Sequence, residues 1–367
     1  MDGDLRHPED TLRYLAYCAG VHTDGRHTYV VGDVHGHLDE LLAALAGAGL
    51  IDAEAAWSGG NTHLWFLGDF VDRGPDGIGV IDLVMRLTDE AERAGGRVEA
   101  LLGNHEILLL GMHRFGDTEV PSDFGPRSFA RSWEMNGGQP TDQEAVTPEH
   151  VDWLTARPAL ALVDDHLLMH SDTLEYLVWG TELEEINEGI QDVLRGEDIV
   201  EWWEVWRRLT TRHAFRGPHG GEVAIQLLGV LGGKQVVHGH SVIADQLGVA
   251  PAQIESAFEY ADGLALGVDA GVFVGGPCLV VELPFSDFED EPDEDEDEDE
   301  AAETKATDEA EEPGKPDSEA ETDAETIAET DEDSAEDGES EPADEPDEPA
   351  WDGEKTAPAA EAKEPGA

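Results

Sequence analysis

Gly68-Asp69-Phe70-Val71-Asp72-Arg73-Gly74 follows directly on His63-Leu64-Trp65-Phe66-Leu67. The pentapeptide is a short apolar run bounded by polar residues, the pattern of a buried strand. The heptapeptide then delivers two carboxylates and a guanidinium between two glycines, which let the backbone turn and pass close to a ligand. A strand that empties Asp, Asp and Arg into a glycine-framed loop can serve metal ions and a phosphate. Asp-Arg pairs also cap solvated turns, so the reading depends on the flanking chain.

The same plan recurs on both sides. Upstream, residues 28–31 (TYVV) read as a strand ending in Gly32-Asp33-Val34-His35-Gly36, and residues 38–45 have helical apolar spacing. After the central loop, Ile78, Ile81, Leu83, Val84 and Leu87 mark a helix over 78–94. Residues 97–102 form a third strand, followed by Gly103-Asn104-His105-Glu106 and a helix that opens at Ile107. Three strand–loop–helix units in succession predict an α/β fold with a largely parallel sheet, its polar loops at the carboxyl ends of the strands where ligands bind.

Downstream the pattern loosens. Residues 111–157 mix Gly, Pro, Asp and Trp, with a short helix at 128–135 and another resuming at 151–154; this reads as a cap or insertion over the ligand edge. Residues 160–169 read as a β-hairpin turning at Asp164-Asp165 and ending in His170-Ser171-Asp172. Residues 173–233 read as mostly helical, and Trp202, Trp203 and Trp206 form a stripe expected to pack in the core rather than serve as a binding platform. A strand at 234–237 delivers His238-Gly239-His240-Ser241, and short strands at 264–268 and 278–283 flank Gly271, Gly275 and Gly276.

The formal net charge is -64 over 367 residues. Residues 286–367 carry 38 acidic side chains against 4 Lys and almost no large apolar residue, so they cannot bury enough surface to offset their ordering entropy and are expected to be a disordered acidic tail. Its plain reading is a solubilising segment; its functional readings are a lure for basic protein partners or a competitor for a metal site. The rest of the chain is also acidic, which disfavours nucleic acid and anionic membranes, so any phosphate site must be made locally. Two cysteines, Cys18 and Cys278, provide no disulfide framework. Residues 1–26 are a polar N-terminal extension with a modest helical stretch at 12–19, lacking a basic and apolar leader pattern, and no apolar run reaches membrane-spanning length. A cytoplasmic protein is expected.

The strand-end residues collect into one set: Asp33, His35, Asp69, Asp72, Arg73, Asn104, His105, His170 and His240. Carboxylate and imidazole together suit divalent metals, manganese first, with iron or zinc as alternatives. Asp33 and His35, two apart in an extended segment, share a face. Asp69, in the middle unit, is placed to bridge two ions, and Asn104, His170 and His240 could complete the second. Two ions about 3.5–4 Å apart clamp the attacking and leaving oxygens of an in-line displacement. His105, next to Asn104, can protonate a departing alkoxide with Asp72 orienting its ring, and Arg73 offers a planar fork to phosphate oxygens.

Gly32-Asp33-Val34-His35-Gly36, the central heptapeptide and Gly103-Asn104-His105-Glu106 resemble the three signature motifs of the phosphoprotein phosphatase (PPP) family of calcineurin-like metallophosphatases, in its bacterial serine/threonine phosphatase-like form. His170-Ser171-Asp172 and Gly239-His240-Ser241 are similar to the family's later segments, and Asp269, Gly271, Gly275 and Gly276 to its closing hairpin. The resemblance covers residues 27–285 and implies a four-layer α-β-β-α sandwich with two metals at the sheet edge. Carried over, it implies that Asp33, His35 and Asp69 hold one ion and Asp69, Asn104, His170 and His240 the other. It implies His105 as the acid, Asp72 behind it, and Arg73 on the phosphate. The family's second phosphate-binding arginine has several candidates here, Arg207, Arg208, Arg212 and Arg216; Arg212 is taken because Thr211-Arg212 precedes an aromatic-containing segment. Val242 and Ile243 stand where other metallophosphoesterases carry a further histidine, which favours the PPP branch.

The resulting expectation is a phosphomonoester hydrolase, a serine/threonine protein phosphatase in which metal-activated hydroxide attacks phosphorus without a phosphoenzyme. Its substrate would be a phosphoprotein or a phosphorylated small molecule. The rivals are a dinucleoside tetraphosphate hydrolase, which resembles the same motifs, and a non-catalytic protein that recruits basic partners through its tail.

Overall fold

The structure, a computed structural model, describes residues 26–121 and 125–285. The helix expected at 12–19 and the acidic tail at 286–367 lie outside the described residues. Four strands, β1 (Thr28–Val31), β2 (His63–Phe66), β3 (Arg97–Ala100) and β9 (Val280–Leu283), form one sheet in the order β3-β2-β1-β9. β1, β2 and β3 are parallel, as strand–helix–strand units dictate, and β9 closes the edge antiparallel to β1. The second sheet has the order β4-β5-β6-β8-β7, from β4 (Leu160–Val163), β5 (His166–Met169), β6 (Gln235–His238), β7 (Phe258–Tyr260) and β8 (Ala265–Gly267).

Side-chain alternation makes four layers of these two sheets. Val30, Trp65, Leu67 and Leu101 of the first sheet meet Ala161, Leu168, Val237 and Leu266 of the second in one apolar cluster. Their neighbours in sequence, Val31, Phe66, Leu102, Leu167 and Val236, point the other way and belong to the cluster that includes the helices. On the first sheet that cover includes α1 (Leu38–Gly47) and α2 (Gly77–Ala94). α2 begins at an N-cap, Asp76, whose carboxylate accepts from Gly79 N, and stops at left-handed Gly95. The helices α3 (Asn104–Phe115), α4 (Phe129–Met135), α5 (Pro140–Ala145) and α6 (Pro148–Thr155) follow, then α7 (Leu183–Arg195), α8 (Ile199–Leu209), α9 (Gly220–Leu231) and α10 (Ile243–Leu247). The architecture is the calcineurin-like sandwich that the motifs imply. Trp202 and Trp203 are buried, Trp203 edge-on to Phe129 with ring centroids 5.3 Å apart, so the tryptophan stripe is core. No helix among the described residues is long and apolar enough to cross a membrane.

Gly68 shows how tightly the strand ends converge. Its φ is +104°, and a Cβ there would stand 2.5 Å from Gly103 N. Gly68→Ala is therefore expected to lose at least about 2 kcal/mol of unfolding free energy, from strain added to a backbone clash, read by urea denaturation.

Candidate metal centre

The carboxyl ends of β1, β2, β3, β5 and β6 open onto one edge, and each contributes. β1 leads to Asp33 and His35, β2 to Asp69, Asp72 and Arg73, and β3 to Asn104 and His105 in the first turn of α3. From the second sheet, β5 leads to His170 and β6 to His240. All are buried except Arg73, which is partly exposed. Ligand atoms of His35, Asp69 and His105 lie within 4.8 Å of one another, and so do those of Asp69, His170 and His240. Asp69 belongs to both groups.

The hydrogen bonds fix which nitrogen each imidazole offers. His35 Nδ1 donates to Val71 O at 2.9 Å, His170 Nδ1 to Leu67 O at 3.0 Å, and His240 Nε2 to Thr210 O at 3.0 Å. A carbonyl can only accept, so these nitrogens carry protons and the opposite nitrogens are the ones left facing the site; this is how metal-binding histidines are oriented. Those of His35 and His170 stand against carboxylates, His35 Nε2 at 3.6 Å from Asp69 and 3.8 Å from Asp33, and His170 Nε2 at 3.3 Å from Asp69. Asn104 Oδ1 joins the second group, 2.9 Å from His170 Nε2.

The electrostatics fit a cation. Burial, then the neighbouring carboxylate of Asp269, holds Asp33 well above the usual carboxylate range. Burial also pushes Asp269 to about 6 and Glu106 to about 7. Burial works against Asp69 ionising too, but His170, His105 and His35 hold its carboxyl well below the usual value. Burial opposes charge on His170, yet the surrounding carboxylates, Asp69 foremost, raise it to about 9. Burial, then the charges of Arg73 and His105, keeps His35 neutral, and burial with the charge of Arg212 does so for His240. A buried set of acids with imidazoles aimed among them, those of His35 and His240 neutral, suits divalent ions, and the donors present, carboxylate, imidazole and amide, fit manganese, iron or zinc.

Beside these groups lies an acid–base pair. His105 Nδ1 donates to Asp72 Oδ2 at 2.9 Å. Arg73 spans the two imidazoles, with Nη1 3.1 Å from His35 Nε2 and Nη2 3.0 Å from His105 Nε2. Its guanidinium stacks on Phe273 at 4.1 Å.

A family profile of calcineurin-like phosphoesterases matches residues 27–244. The chain belongs to the calcineurin-like phosphoesterase family. Over 78 residues this phosphoesterase is 42% identical to Shewanella-like protein phosphatase 2 of Arabidopsis thaliana, covering 21% of this chain and 20% of that protein. Over 138 residues it is 33% identical to the symmetrical bis(5'-nucleosyl)-tetraphosphatase of Pectobacterium carotovorum subsp. carotovorum, covering 38% of this chain and 40% of that one. The chain thus spans between a fifth and two fifths of the length of these relatives. A solved cold-active protein tyrosine phosphatase shares the fold, with a TM-score of 0.54 at 21% identity over 70% of this chain and 73% of that one. The Shewanella-like match supports the PPP branch that the motifs imply.

Nine of the ten residues singled out in the sequence meet at this edge of the phosphoesterase. The tenth, Arg212, is exposed and makes no ion pair with another described residue; its charge reaches His240. Arg207 is paired with Glu204 at 2.8 Å and Arg208 with Glu175. Arg216 is half-buried, with Nε and Nη2 lacking a partner. Sequence reasoning gave no role to Glu106, although it stands at the N3 position of α3, where a reach-back carboxylate is expected. It also gave none to Asp269, or to Asp172, whose oxygens accept from Ser241 Oγ at 2.6 Å and His213 N at 2.8 Å. Trp133 was missed because nothing local ties it to a loop some 60 residues upstream. Because Asp69 serves both groups, Asp69→Asn is expected to weaken binding of divalent metal by roughly tenfold or more. Metal content after dialysis, read by atomic emission, should fall further than in Asp33→Asn.

Proposed function

We propose that this calcineurin-like phosphoesterase is a dinuclear-metal phosphomonoester hydrolase whose substrates are phosphoserine and phosphothreonine in proteins. The observation that carries the reading is the pairing of His105 with Asp72 beside the shared carboxylate of Asp69. Asp33, His35 and Asp69 would hold one ion, and Asp69, Asn104, His170 and His240 the other. When bound, the two ions would supply positive charge to the phosphate and lower the pKa of a water near neutrality.

The chain's own groups do the rest. Arg73, which donates through two nitrogens to two imidazoles, has the fork geometry to grip two phosphate oxygens. Arg212, exposed beside His240, would add a second guanidinium. His105 Nε2 accepts from Arg73 and faces the same space; with Arg73 turned to the phosphate and the ring protonated, it would hand that proton to the departing alkoxide. Asp72 keeps the ring turned by holding Nδ1. Burial of His105 and Asp72 excludes water from their contact and strengthens it.

The preference for a protein substrate is supported by the 42% identity to a protein phosphatase. The longer match to a bis(5'-nucleosyl)-tetraphosphatase supports the second reading, hydrolysis of a dinucleoside tetraphosphate. A substitution series with Mn, Fe and Zn, assayed on a phosphoserine peptide and on a dinucleoside tetraphosphate, decides between them. Faster turnover of the peptide is expected, with activity abolished by chelation and restored by metal. Faster turnover of the dinucleotide would overturn the substrate assignment. His105→Asn should lose about 10²–10⁴-fold in kcat on the peptide while retaining its metal, the range of a general acid's contribution.

A further inference from the structure

The carboxylate behind the proposed acid is itself held. Trp133 Nε1 donates to Asp72 Oδ1 at 2.8 Å while His105 Nδ1 donates to Oδ2 at 2.9 Å, and all three side chains are buried. A carboxylate with one partner can turn about its last bond; one with a buried donor on each oxygen cannot without leaving a polar group unpaired. The helix that carries the indole, α4, packs directly on α3, the helix that carries His105.

The segment around Trp133 is shaped for this contact. A Cβ on Gly138 would lie 2.2 Å from the indole Cδ2 and Cε2, so only glycine lets the chain lie flat against the ring. Just before it, Gly137 O accepts from Arg73 N at 2.7 Å, and further on Asp142 accepts from Asp72 N at 3.3 Å and Gly77 N at 3.1 Å. Residues 133–142 thus grip the backbone of Asp72-Arg73 and, through the indole, one oxygen of Asp72.

We propose that Trp133 is a positioning residue for proton donation, acting through Asp72 on His105. It rests on the phosphomonoesterase reading above. An acid matters in proportion to how poor the leaving group is: the alkoxide of serine needs its proton, whereas p-nitrophenolate departs without one. Loss of the indole donor should therefore slow the two substrate types unequally, which a general loosening of the fold would not do.

The test uses the full chain loaded with the metal that supports highest turnover, on a phosphoserine peptide and on p-nitrophenyl phosphate. Trp133→Phe is expected to lower kcat on the peptide by roughly 10–100-fold, the usual effect of an outer partner of a catalytic group. The fall on p-nitrophenyl phosphate should be less than about threefold, and KM for both should be little changed. The double variant with His105→Asn should be no slower on the peptide than His105→Asn alone, because the two act as one unit. Gly138→Ala, which crowds the indole off its place, should reproduce the same selectivity and carries the test if Trp133→Phe does not fold. Equal slowing of both substrates, no slowing of either, or additive losses in the double variant would overturn the positioning role. Absence of turnover on both substrates by the unaltered protein would instead overturn the phosphomonoesterase reading.

Discussion

The Glu106 carboxylate is the tie on which the site depends. Fully buried at the start of α3, it accepts from Gly103 N at 2.9 Å, Asp69 N at 2.8 Å and Phe70 N at 2.7 Å. One side chain thereby joins the loop after β3 to the loop after β2. Asp33 does the same between sheets, taking His240 N at 2.9 Å, and Asp172 joins the loops after β5 and β6 to the segment after α8. Each buried acid satisfies backbone donors that would otherwise be stranded where strands end, and each sets the direction in which the adjacent ligand side chain points.

Such ties concentrate negative charge. Asp33, Asp69, Glu106 and Asp269 are buried together, and Arg73 is the guanidinium in direct contact with their imidazole neighbours. Desolvation makes their ionisation costly, which is why Asp33, Glu106 and Asp269 are all pushed upward. The arrangement is balanced only when positive charge sits among them. That requirement links the structural ties to the chemistry: the carboxylates that weld the loops also create the field that attracts divalent cations.

Much of this was legible in the sequence because the site is built at strand ends. Strand-like runs of four to six residues, each closed by Gly-Asp or Gly-Asn, mark where a strand stops and a ligand loop begins. The units after β1, β2 and β3 could thus be read in register. The assignment of strands to two sheets was not legible from local pattern alone and came from family resemblance. β7 was missed; it is three residues long, and its pairing with β8 is set by tertiary contact. The outer partners failed for the same reason. Trp133 is apolar, helical and ordinary in its own window, and becomes a hydrogen-bond donor to Asp72 only when α4 packs on α3.

The backbone at the site shows what the ties must overcome. His35, Asp69, Asp72, Arg73 and His240 all have positive φ, between 45° and 66°. Left-handed backbone costs an ordinary residue roughly 1–2 kcal/mol, and glycine would avoid it. Glycine brings no carboxylate, imidazole or guanidinium, so at these five positions the side chain outweighs the backbone preference. The strained conformations persist because neighbours overdetermine them. Asp69 is held at its N–H by Glu106, Arg73 at its N–H by Gly137 O, and His240 at its N–H by Asp33. Clamps and strain therefore belong to one design. A chain relaxed into easier φ values would turn its ligands away from the common centre, and the hydrogen bonds that prevent this turn come from residues distant in sequence.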